Sequence, residues 1–234
     1  MSSPDQYSMA FLLPPLSFGD MAITDANRDV IEQIRTVDRW AAPVFCLTGP
    51  PKSGLTTLAK AWAYEQTGSY ITSADFDAVA ADQMSSLSGR PLAIDRADLI
   101  TEQSALLGII NGALQTQAPL LLTARHPPSH WDTPQRDLSS RLRLAVLAGL
   151  GHADDALMAA RLRRAFELLC VNPPDRVIDY LVTRGSLDYC ASERFVQRLV
   201  GAMGDGQDLT VALVRGLLDE PDDAHQAGAG GEYG

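Results

Sequence analysis

Apolar positions along this chain follow two different periods. Val30, Ile31, Ile34 and Val37 recur at helical spacing and predict a helix over 26–40, with Thr24 or Asp25 available to cap its first turn. Five short apolar runs follow, at 44–48, 69–72, 92–95, 120–123 and 144–147, and read as strands. Helical patterns over 56–66 and 102–115 lie between them. Strands alternating with helices predict an α/β fold with a parallel sheet covered on both faces. Beyond Gly151 the texture is helical only, with predicted helices over 154–169, 174–183, 192–203 and 209–218.

This pattern divides the chain into four expected parts: an extended arm over 1–21, an α/β core over 22–151, a helical subdomain over 152–219 and a disordered tail over 220–234. The arm is extended because the prolines of Leu12-Leu13-Pro14-Pro15-Leu16 disfavour a helix. The tail is small and polar and has little to bury.

Composition narrows the class. At 46% hydrophobic and 21% charged, 234 residues can bury a full core. No apolar run approaches the roughly 20 residues that cross a bilayer, and no basic segment precedes an apolar run at the N-terminus, so the expectation is a cytoplasmic protein without a membrane role. A formal charge of −10 repels nucleic acid phosphates, which makes any DNA contact local or relayed by a partner. Cys46, Cys170 and Cys190 are odd in number and far apart, as reduced thiols are. His126, His130, His152 and His225 show neither metal spacing nor a hydrolase constellation.

Chemistry is concentrated after the first strand, where Gly49-Pro50-Pro51-Lys52-Ser53-Gly54-Leu55-Thr56-Thr57 runs into a helix. A phosphate-binding loop has Gly, four residues, Gly, Lys, then Ser or Thr, so that backbone amides cradle phosphate and the hydroxyl reaches Mg2+. Gly49, Gly54 and Thr56 occupy their places, but Leu55 stands at the lysine position and supplies no charge. Lys52 is displaced from the ordinary geometry. The alternative is a simple Gly/Pro turn between strand and helix. A second strand ends Leu92-Ala93-Ile94-Asp95-Arg96-Ala97-Asp98, where Asp95 suits a Mg2+ shell. The following position, where a second acid would polarise water, holds Arg96, whose guanidinium accepts no proton; Asp98 is the only acid near enough to substitute.

The order of these motifs and the helical region after them resemble the DnaA/Hda family of AAA+ proteins, over roughly residues 22–218. The resemblance implies a P-loop core with a five-stranded parallel sheet and a small all-helical lid. It implies ADP or ATP with Mg2+ as cofactor, held weakly or not at all. Gly49, Pro50, Lys52, Ser53, Gly54, Leu55, Thr56, Thr57, Thr123 and Arg194 would lie on nucleotide, with Thr56 and Asp95 on the metal, Thr123 as the polar sensor 1 group and Arg194 as the sensor 2 contact. Asn27 is similar to the residue beside the base. Arg141, in Asp137-Leu138-Ser139-Ser140-Arg141-Leu142-Arg143, inherits the arginine finger offered in trans; as bare letters the same segment reads as an amphipathic helix with solvated arginines.

The pattern after 218 shows no helix-turn-helix, which places the resemblance with the Hda-type regulators of the family. Their clamp-binding peptide is similar to Gln6-Tyr7-Ser8-Met9-Ala10-Phe11, making Gln6, Ser8, Met9 and Phe11 candidates for docking on the DNA polymerase sliding clamp. Met9 and Phe11 have the alternative role of stapling the arm to the core. The implied function is regulatory inactivation of DnaA, with the clamp and DnaA as partners, DNA reached only indirectly, and self-association an open expectation. Two rivals stay open: an autonomous AAA+ ATPase of helicase-loader type, against which Leu55 and Arg96 count, and a nucleotide-free adaptor linking clamp and DnaA. The expected protein is no autonomous ATPase.

Overall fold

A computed structural model describes residues 17–78, 87, 89–184, 189–203 and 209–219. The arm motif Gln6, Ser8, Met9 and Phe11 and the tail lie outside the described residues. The elements are α1 (Arg28–Arg35), β1 (Val44–Thr48), α2 (Leu55–Glu65), β2 (Ser69–Thr72), α3 (Ser73–Ala78), β3 (Leu92–Asp95), α4 (Gln103–Thr116), β4 (Leu120–Ala124), α5 (Arg136–Leu142), β5 (Val146–Gly149), α6 (Asp155–Leu168), α7 (Asp175–Arg184), α8 (Tyr189–Ala202) and α9 (Val211–Asp219). The chain divides into two compact units: one takes the residues up to Met21, Val30–Gly49 and Gly54–Leu150, the other Ala22–Asp29, Pro50–Ser53 and the residues from Gly151.

The first unit is built on a five-stranded sheet in the order β2-β3-β4-β1-β5, with every pair parallel. Side chains alternate between its two faces along each strand. Val44, Cys46, Ile94 and Leu122 pack on one face with Ile109 and Ile110 of α4 and Leu138 of α5. Phe45, Leu47, Ala93 and Leu121 pack on the other with Ile34 of α1 and Leu58, Ala59 and Trp62 of α2. The central strands β1, β3 and β4 are therefore buried almost throughout, whereas the edge strands β2 and β5 are partly exposed. Trp62 is wholly buried, stacks on Trp40 at 5.8 Å and donates its indole N–H to the Ile34 carbonyl at 2.8 Å, which ties α2 to α1. Where β2 begins, a β-carbon on Gly68 would lie 2.4 Å from the Pro91 carbonyl oxygen, so only glycine lets the two chains pass.

Several boundaries differ from expectation for local reasons. The first helix ends at Arg35, short of 40: Thr36 turns its hydroxyl onto the Glu32 carbonyl at 2.9 Å and the chain continues as a 3-10 turn over Val37–Arg39. The last strand begins at Val146, not 144, because Leu144 and Ala145 still donate to the Arg141 and Leu142 carbonyls in the turn that closes α5. The short helix α3 has no counterpart in the apolar pattern; it has a single deep anchor, Phe76, too little for a helical period.

The second unit has its own core, in which Leu162 and Phe166 of α6, Val177, Ile178 and Leu181 of α7, Val196 and Leu199 of α8 and Val214 of α9 pack together. Asp154 caps α6, accepting the Leu157 N–H at 2.7 Å. That bond leads in holding its carboxyl below the usual range, helped by Thr24 and by the Ala26 amide.

Candidate functional site

Backbone geometry builds the loop after β1. The Gly49 N–H donates to the Ala124 carbonyl at 3.2 Å, which holds the end of β1 beside β4. Lys52 (φ 64°) and Gly54 (φ 104°) both adopt left-handed conformations, and Gly54, free of a β-carbon, reverses the chain into α2. No side chain caps α2, whose first-turn amides carry the positive end of the helix dipole. Ser53 is 8% exposed and its buried hydroxyl has no hydrogen-bond partner among the described residues. Uncapped amides and an orphaned hydroxyl fit the oxygens of a phosphate. The Lys52 carbonyl accepts from the Arg161 guanidinium, both within the second unit. Leu55 packs into the α2-face core instead of offering a cation, and Thr57 is half-buried.

The first turn of α2 leads to a hub centred on Asp95, which is 4% exposed at the carboxyl end of β3. Thr56 donates to its Oδ2 at 2.7 Å, Tyr70 to the same oxygen at 3.0 Å, and Thr123 to Oδ1 at 2.5 Å. The Arg96 amide donates to the Thr123 hydroxyl at 3.0 Å, so that hydroxyl is committed to giving its own proton to Asp95. Burial, then the charge and hydrogen bond of Asp95, raise the Tyr70 pKa well above a phenol's usual value and keep it protonated as a donor. Four elements, α2, β2, β3 and β4, thus meet on one carboxylate.

Arg96 stands next to this hub in the left-handed conformation (φ 60°), its Nε 3.9 Å from Asp98 Oδ1. Both atoms are buried without a hydrogen bond among the described residues. Asp98 is engaged elsewhere: its Oδ2 accepts the Arg125 N–H at 3.4 Å. It therefore faces Arg96 and Arg125 and leaves the second-acid position empty of a base. Asp98 also contributes, after burial, to pushing the Cys46 thiol up to about 12, as a buried unreactive thiol requires. The expectation that Thr56 and Asp95 share a Mg2+ shell finds the two residues bonded, but in a donor set that does not fit a divalent cation. There is one carboxylate, both its oxygens already accept, and a guanidinium sits where a second carboxylate would.

None of the remaining expected residues is bonded to Asp95 among the described residues. Arg141 is exposed on α5, beside an open cavity of about 380 Å³ lined by Leu107, Asn111, Asp137, Ser140, Arg141 and Leu144. Arg194 is exposed on α8 of the second unit. Asn27 spends its amide on its own turn, accepting the Thr24 N–H and donating to the Ala22 carbonyl, each at 2.9 Å. Tyr70 is the hub residue that sequence reasoning misses. Its place in an apolar run is visible in the letters, but the strand that lies beside it is not. Among the described residues no cluster of His, Cys, Asp and Glu could hold a metal, and no helix is long and apolar enough to cross a membrane.

The fold defines the class: an AAA+ P-loop core with a parallel five-stranded sheet, followed by an all-helical region. Solved structures of replication and branch-migration proteins share this fold. Domain III of the Thermotoga maritima replication initiation protein DnaA superposes with a TM-score of 0.70 at 18% identity, covering 88% of this chain and 98% of that one. AMPPCP-bound DnaA from Aquifex aeolicus gives 0.64 at 17% identity, covering 83% and 67%. The Thermotoga maritima RuvB Holliday junction branch migration motor gives 0.61 at 18%, covering 87% and 71%. No protein-family model matches the chain. No curated protein matches it either.

Proposed function

We propose that this chain is an Hda-type regulator of replication initiation, acting on nucleotide held by DnaA instead of turning over nucleotide of its own. The observation that carries the reading is the division of chemistry within a DnaA-like fold. The phosphate loop and its Asp95 hub are kept, the lysine and second acid are lost to Leu55 and Arg96, and Arg141 stands exposed on α5. The Aquifex aeolicus neighbour carries AMPPCP, so this fold accepts a triphosphate analogue.

In this reading Arg141 enters the nucleotide site of a bound DnaA and neutralises charge that develops on the transferring phosphoryl group, an effect of roughly 10³–10⁵ in rate where such fingers operate. The chain's own loop, with Arg194 as a further contact, holds nucleotide weakly as a structural ligand. Gln6, Ser8, Met9 and Phe11 dock on the sliding clamp and bring the protein to DNA indirectly, as its net charge of −10 demands. The test is turnover of ATP bound to DnaA, with and without this protein and DNA-loaded clamp. Acceleration that needs both supports the reading. Binding to both partners without acceleration replaces it with the adaptor, and steady-state ATP hydrolysis by the isolated chain replaces it with an autonomous ATPase.

A further inference from the structure

The proposed regulation of DnaA through Arg141 makes no use of Tyr70. We infer that Tyr70 is a specificity-determining residue which makes this a metal-independent site, one that takes a nucleoside diphosphate as the bare anion because the phenol holds the carboxylate a divalent cation would need. This rests on the reading that loop 49–56 accepts phosphates.

Register puts the phenol in place. Tyr70 lies opposite Ala93 in the β2–β3 ladder, and Asp95 is two residues further along β3 on the same face. Such diagonal neighbours lie within reach of a long aromatic side chain, and the small Ala93 leaves the path open. A carboxylate has about four acceptor positions. Thr56 and Tyr70 take both on Oδ2 and Thr123 takes one on Oδ1, leaving a single position beside a threonine that is wholly buried. Mg2+ asks for near-octahedral oxygen and holds its waters tightly, so it must displace a donor to enter.

Charge acts in the same direction. Lys60 Nζ lies 5.2 Å from the centre of the Tyr70 ring, and Arg96 follows Asp95 directly. The Lys60 ammonium over the phenol ring opposes entry of a further cation beside it, while Arg96 is turned to Asp98. A polyphosphate meets the opposite effect: Lys60 supplies cationic charge beside the hub, and Lys52 supplies it within the loop sequence, where Leu55 supplies none.

The test compares calorimetric titration of the full chain with ADP in excess Mg2+ and in EDTA. The wild type is expected to bind equally in both, and Tyr70→Phe to acquire a Mg2+ preference of about tenfold, ~1.4 kcal/mol. Paramagnetic resonance of Mn2+ reads the cation alone: its free signal should persist with wild type, fall with Tyr70→Phe and return with Tyr70→Phe/Asp95→Asn. A wild type that binds ADP only with Mg2+, or that captures Mn2+ through Asp95, overturns the proposal, as does a Tyr70→Phe variant identical to wild type in both measurements. Absence of ADP binding in either buffer instead removes the phosphate-site reading and with it the diphosphate ligand, and the Mn2+ series then decides whether Tyr70 excludes the cation. If Tyr70→Phe does not fold, the same two measurements on wild type and Asp95→Asn decide the question: Mn2+ capture by wild type that Asp95→Asn abolishes overturns the proposal, and no capture by either supports it.

Discussion

Asp95 and Arg141 belong to the same unit and are held in opposite ways. Asp95 is 4% exposed and accepts three hydroxyl groups from three other elements. Arg141 is exposed, and among the described residues its guanidinium has no hydrogen-bond or ion-pair partner. A buried charge that accepts three hydrogen bonds is costly to disturb and therefore structural. A bare guanidinium on a short surface helix costs the fold little and keeps all five donors for something else. The catalytic weight of the proposed function accordingly falls on α5, while the weight of the fold falls on the Asp95 hub.

The sharpest way to break this comparison is Arg141→Ala. Acceleration of DnaA-bound ATP hydrolysis should fall by about 10³ or more. The urea unfolding midpoint should move by less than ~0.5 kcal/mol equivalent. Arg141→Lys should recover little, since lysine keeps the charge without the planar fork. Full stimulation by Arg141→Ala transfers the role to Arg143 or removes it from this segment, and full stimulation by Arg141→Lys shows that charge alone suffices.

Asp95→Ala should show the reverse profile. It takes the acceptor from the partly buried Tyr70 and the wholly buried Thr123 hydroxyls, and should cost about 3 kcal/mol in equilibrium unfolding. A loss below ~1 kcal/mol would show that water replaces the carboxylate easily and that the hub carries no structural load.

How far the letters reach differs between the two ends for physical reasons. Gly49, Gly54 and Thr56 are readable because a Gly-containing turn from strand into helix is a local backbone device, and the departures of Leu55 and Arg96 from the expected pattern are readable with them. Asp95 is readable as the polar end of an apolar strand. Tyr70 is not, because its partner depends on which strand pairs with β2, and that is set by the order β2-β3-β4-β1-β5. The sheet and its helices are legible from periodicity, but the start of β5 is displaced by the turn that closes α5. Arg141 marks the other limit: an exposed arginine on a seven-residue helix looks the same whether or not a partner uses it.

A milder intervention sharpens the Asp95 end. Leu55 contributes a mostly buried side chain to the α2-face core, so Leu55→Lys should cost about 2 kcal/mol in the absence of ligand. The lysine then faces the loop, and ATP affinity by calorimetry should rise about tenfold. Hydrolysis should stay absent, since Arg96 still occupies the second-acid position. An ATPase restored by Leu55→Lys alone would show that Asp98 can serve as base after all.

The smallest effect probes whether the bare end depends on how its neighbouring helix begins. Asp77 accepts the Thr101 and Glu102 amides and the Thr101 hydroxyl just ahead of α4, and α4 supplies Leu107 and Asn111 to the cavity beside Arg141. Burial works against ionisation there, but these amide and hydroxyl bonds outweigh it and hold the carboxyl below its ordinary 3.8. A depressed folded value means that the stabilisation is present above the unfolded value and is lost as pH falls through the folded one. Asp77→Asn should therefore cost about 1 kcal/mol at neutral pH, comparable to loss of a helix cap, with the gap to wild type closing as pH drops below about 4. Urea unfolding of both proteins across that range measures it. If the variant also slows DnaA-bound ATP turnover, the cavity wall positions Arg141; if turnover is unchanged, Arg141 acts from α5 alone and the two ends of the unit are energetically separate.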